Sequence, residues 1–178
     1  MSGKKGVYEK AKEEMRLGER ILAALPGFRG YKEKELRRES DRLIRNHLYQ
    51  RLMEARNDLK ETFQTLSENR VQEVLTDMDH LVMRFDRVSE KINHASYGYA
   101  GFFNIVKIEE AKRDNMIQFD TDLMDEGDNI VEEADAFEKE VSKQNFEKVR
   151  NHVTKVNGML EGLEETFEER HEVVEGAM

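Results

Sequence analysis

Between residues 71 and 95 apolar side chains recur three and four apart without a miss: Val71, Val74, Met78, Leu81, Phe85, Val88, Ile92 and Ala95. That period gathers all eight on one face of an α-helix and would scatter them over both faces of a strand. A second seam of the same kind runs through Phe146, Val149, Val153, Val156, Leu160, Leu163 and Phe167. A helix with a single apolar stripe must bury it against other helices, and two looser stripes supply them. One carries Leu36, Leu43, Leu48, Leu52, Ala55, Leu59, Phe63 and Leu66 from a start near Lys32, and the other carries Ile105, Ile108, Met116, Phe119, Leu123, Ile130, Ala134, Phe137 and Val141. Charged residues at 38% and a single proline suit long amphipathic helices with solvated faces.

Four long helices joined by short turns pack antiparallel, so the expected fold is all-α, an up-down-up-down four-helix bundle over residues 32–175. Val7, Ala11, Met15, Ile21, Leu22 and Leu25 predict an accessory N-terminal helix over 6–25, ended by Pro26, the whole of 1–178 forming one domain. A turn is expected near Ser67 to Arg70, because Leu52, Leu59 and Leu66 share a heptad phase that Val71, Met78 and Phe85 do not continue. The glycines of Ser96-Tyr-Gly-Tyr-Ala-Gly-Phe-Phe103 predict a reversal, Gly127 a bend, and Asn145 a cap for the last helix. Gly158 and Gly162 fall outside the last seam and each weakens the helix by about 1 kcal/mol relative to alanine. They predict close docking of the N-terminal helix or of a second copy of the chain, a homodimer.

The absence of cysteine removes disulfides, thiolate metal sites and cysteine nucleophiles. No apolar run reaches the length of a transmembrane segment, and with no signal peptide the expected location is cytoplasmic. A net charge of −9 argues against nucleic acid as a partner. Glu168-x-x-His171 and Asp77-x-x-His80 are too few ligands for a bundle-core metal site, so no metal is assigned. Ten carboxylates between Asp120 and Glu140 fail the spacing of a calcium loop, and are expected mostly to face water. With neither a phosphate loop nor a catalytic triad, no cofactor and no catalytic residue are assigned.

One stretch stands apart. Pro26-Gly-Phe28-Arg29-Gly-Tyr31 runs into Arg37, Arg38, Asp41, Arg42 and Arg45, and residues 29–45 hold seven cations against four acids. Asp41 lies at ion-pair spacing from Arg38 and Arg45, as in an ordinary salt-bridged helix surface. In an antiparallel bundle, however, the Tyr97, Tyr99 and Phe102 segment shares a pole with Phe28, Arg29 and Tyr31, with Arg84, Arg87, Lys91 and His94 just below. Residues 25–45 resemble a signature of uncharacterised prokaryotic four-helix proteins, and Ala-Ser-Tyr-Gly-Tyr-Ala-Gly-Phe-Phe103 is similar to a second short signature of that family. The resemblance implies the bundle and carries no activity. Aromatic and arginine side chains are common interface anchors, so the first reading is a non-catalytic interaction module whose protein partner docks on this pole. The alternative is a site for a small anionic ligand, phosphate or carboxylate, or an enzyme built on the same residues.

Overall fold

Four helices carry the four apolar stripes in the computed structural model, which describes residues 34–95 and 110–175, with side chains over 42–95 and 118–172. They are α1 (Lys34–Glu68), α2 (Leu75–His94), α3 (Glu110–Ser142) and α4 (Val149–Glu175). A 3-10 turn, Gln72–Val74, leads into α2. Among the described residues there is no strand, and no helix is long and apolar enough to cross a membrane. The chain divides into two compact units, Met1–Ile44 and Arg45–Met178. Of the first, the described part is the opening of α1; the second contains the packing of the four helices. The expected helix over 6–25 and the glycine reversal at 96–103 lie outside the described residues.

The buried positions follow the seams. Leu48, Leu52, Ala55, Leu59 and Leu66 line α1, and Met78, Leu81, Phe85, Val88 and Ile92 line α2. On α3 they are Leu123, Met124, Ile130, Val131, Ala134, Phe137 and Val141, and on α4 Val149, Val153, Val156, Leu160, Leu163 and Phe167. Each fully buried leucine, isoleucine or phenylalanine contributes about 1.5–3 kcal/mol by removal from water. Toward its start, the α1 stripe keeps four-residue steps from Leu52 through Leu48 to Ile44, which is buried, while Arg45 is only half-buried. The stripe therefore runs through Ile44 rather than through the expected Leu43, which is half-buried. Thr62 is buried on this stripe in place of the expected Phe63, and its hydroxyl is satisfied by donating to the Asp58 carbonyl at 2.8 Å.

Both described interhelix turns are closed by the same backbone device. Past α1, Arg70 takes φ 60°, its N–H bonds the Ser67 carbonyl at 3.1 Å, and the Val71 N–H bonds the Leu66 carbonyl at 3.0 Å. Past α3, Gln144 takes φ 62°, its N–H bonds the Val141 carbonyl at 2.8 Å, and the Asn145 N–H bonds the Glu140 carbonyl at 3.0 Å. These are the paired bonds of a Schellman stop, with a long side chain where glycine is usual. The expected turn near Ser67 to Arg70 is present. Asn145, expected to cap the last helix, instead belongs to the stop of α3: its side-chain amide donates to Glu140 at 2.6 Å, and α4 opens at Val149.

The expected bend at Gly127 has a different explanation. α3 runs continuously through it, and a Cβ built there would lie 3.0 Å from Leu48 Cδ2, so the glycine permits close approach of α1 and α3. At Gly158 and Gly162 a Cβ would meet no described atom within 4 Å, so nothing described packs on them.

Candidate functional site

At one end of the four-helix packing the apolar seams turn ionic. Three residues beyond Phe167, the α4 stripe continues into Arg170; three before Leu123, the α3 stripe carries Asp120. Both are buried, at 2% and 0% exposure, and Arg170 Nε donates to Asp120 Oδ1 at 2.6 Å. Burial pushes the Asp120 carboxyl above its ordinary range, while the charge and hydrogen bond of Arg170 pull it back. A pair of this kind costs desolvation and repays it only in one geometry, so it fixes the register of α3 against α4.

Beside it, α2 and α4 are laced by charge. Lys91 bonds Glu164 at 3.2 Å and Glu168 closely, and the hydrogen bond to Glu168 is the main reason its ammonium is held more basic than usual. Arg87 and Arg84 reach the same Glu164 at 3.5 and 3.6 Å, and Arg84 Nη1 donates to Asn157 Oδ1 at 2.8 Å. On the neighbouring side Arg45 Nη1 donates to the Asn93 carbonyl at 3.3 Å. That carbonyl belongs to the last turn of α2, where backbone acceptors lack intrahelical partners and a cation is favoured by the helix dipole.

Away from this end lies a second buried carboxylate. Glu133 of α3 bonds His152 Nδ1 at 2.8 Å and Lys155 Nζ at 2.5 Å, both from α4. Burial alone would raise its carboxyl, but the hydrogen bonds from Lys155 and His152 outweigh that and hold it below the ordinary value. The His152 ring stacks on Phe137 with centroids 5.0 Å apart and planes 7° from parallel. Across the other face of α3, Arg51 of α1 donates to Asp128 at 2.8 Å, and the half-buried His47 is held below its ordinary pKa by burial, against the opposing pull of Asp128.

Of the residues singled out from sequence, Phe28, Arg29, Tyr31, Tyr97, Tyr99 and Phe102 lie outside the described residues. Arg37, Arg38 and Asp41 fall on α1 with side chains outside the described range. Arg42 is exposed, and Arg45 makes the bond to Asn93. The cations expected just below the pole are engaged: Arg84, Arg87 and Lys91 by glutamates of α4, and His94 by Glu90 at 2.9 Å. The expectation that the acidic block faces water fails at Asp120 and Glu133, which are buried and paired. Sequence carried a signal for the first, since Asp120 and Arg170 each sit one seam step beyond an apolar residue. It carried a weaker one for Glu133, which neighbours the buried Ala134.

Among the described residues no three or more histidine or carboxylate side chains converge as a metal site. Compared with known proteins, the chain matches no family model, no curated protein and no solved structure.

Proposed function

We propose that this chain is a non-catalytic interaction module, an up-down-up-down bundle whose protein partner docks on the arginine-rich opening of α1 and the aromatic residues Phe28 and Tyr31 that precede it in sequence. The order of cross-helix contacts supports the topology. Arg45 meets Asn93 and Arg56 meets Asp86, as in helices of opposite sense, and Asp120 with Arg170 and Glu133 with His152 give the same for α3 and α4. Leu48 against Gly127 and Arg51 with Asp128 advance together, as do Arg84 with Asn157 and Lys91 with Glu164.

The observation that carries the docking reading is the exposure of Arg42, within a cation-rich stretch of a chain whose net charge is −9. Exposed arginines bind carboxylates through paired donors and are frequent interface anchors. The test is affinity capture from the source cell with the wild-type chain and with Arg37→Gln/Arg38→Gln/Arg42→Gln, both checked for helicity by circular dichroism. A specific protein retained by wild type and lost from the folded variant supports the reading. Equal capture by both overturns it. A thermal-shift response of wild type to phosphorylated metabolites or dicarboxylates, abolished in the variant, would replace the protein partner with a small anion.

A further inference from the structure

We draw no further inference here: the strongest candidate, the outer face of α4 where Gly158 and Gly162 lie beside the exposed Glu161 and Glu165, is a stripe of small and acidic residues, and nothing in the structure shows what covers it.

Discussion

Replacing Arg170 with methionine keeps a long side chain in the α3–α4 seam and removes the guanidinium 2.6 Å from the fully buried Asp120. The carboxylate then has two costly choices: to stay ionised without that cation, or to take up a proton. Protonating a carboxyl of ordinary pKa at pH 7 costs about 1.4 kcal/mol for each of roughly three pH units, or about 4 kcal/mol. That agrees with the loss of about 3–5 kcal/mol seen when one member of a buried pair is removed. The pH dependence gives the mechanism a signature. In the variant the native carboxyl sits above its unfolded pKa, so between about pH 4 and pH 7 the folded state holds a proton that the unfolded state has released. Stability therefore increases as pH falls through this window, by nearly 3 kcal/mol between pH 7 and pH 5. Urea unfolding followed by circular dichroism at several pH values measures both quantities. The double variant Asp120→Leu/Arg170→Met removes charge and countercharge together and should recover most of the loss. A single variant that loses under 1 kcal/mol at pH 7, or whose loss does not shrink on acidification, would refute the assignment of a buried, mutually dependent pair.

Glu133 should show the opposite sign: its carboxyl is held low by Lys155 and His152, so its contribution is present above the ordinary carboxylate pKa and disappears as pH falls through the lower folded value. Glu133→Gln should flatten the acid limb of the stability profile between about pH 5 and pH 3, as measured by urea midpoints. Arg70→Gly and Gln144→Gly relieve a left-handed backbone at φ 60° and 62°, and each should raise stability by up to about 1 kcal/mol; a loss in either would mean that its side chain makes a contact worth more than the strain. Gly158→Ala and Gly162→Ala should each stabilise the chain by about 0.5–1 kcal/mol, because no described atom lies within 4 Å of the added methyl. Destabilisation, or a change of oligomeric state by light scattering, would show that another helix or a second copy packs there after all.

The seams of α2 and α4 were legible because each is a local property of one helix: buried apolar residues three and four apart announce themselves without reference to any partner. The stop of α1 was legible only through a break in heptad phase between Leu66 and Val71. No glycine marks it, and Arg70 occupies the left-handed position that glycine would have advertised. Gly127 shows the reverse difficulty: the residue is conspicuous, but whether it bends a helix or admits a neighbour depends on Leu48, nearly eighty positions away.

Charge was harder to read than apolarity, for a reason visible in the contacts themselves. A leucine on a seam can be buried by many neighbours, but a carboxylate there is tolerable only if a cation meets it, and that cation is fifty residues distant for Asp120 and about twenty for Glu133. Deciding which acids of the 120–140 block are buried therefore requires the register of α3 against α4, which the sequence does not state. Arg84, Arg87 and Lys91 looked like a reserve of positive charge for the same reason, and three contacts to Glu164 change that account. Arg150 of α4 is exposed and is no party to that lacing. The charges that weld a bundle are thus told from those left on its surface by their cross-helix neighbours rather than by residue type, and Arg84, joined to Asn157 and Glu164, belongs to the first set.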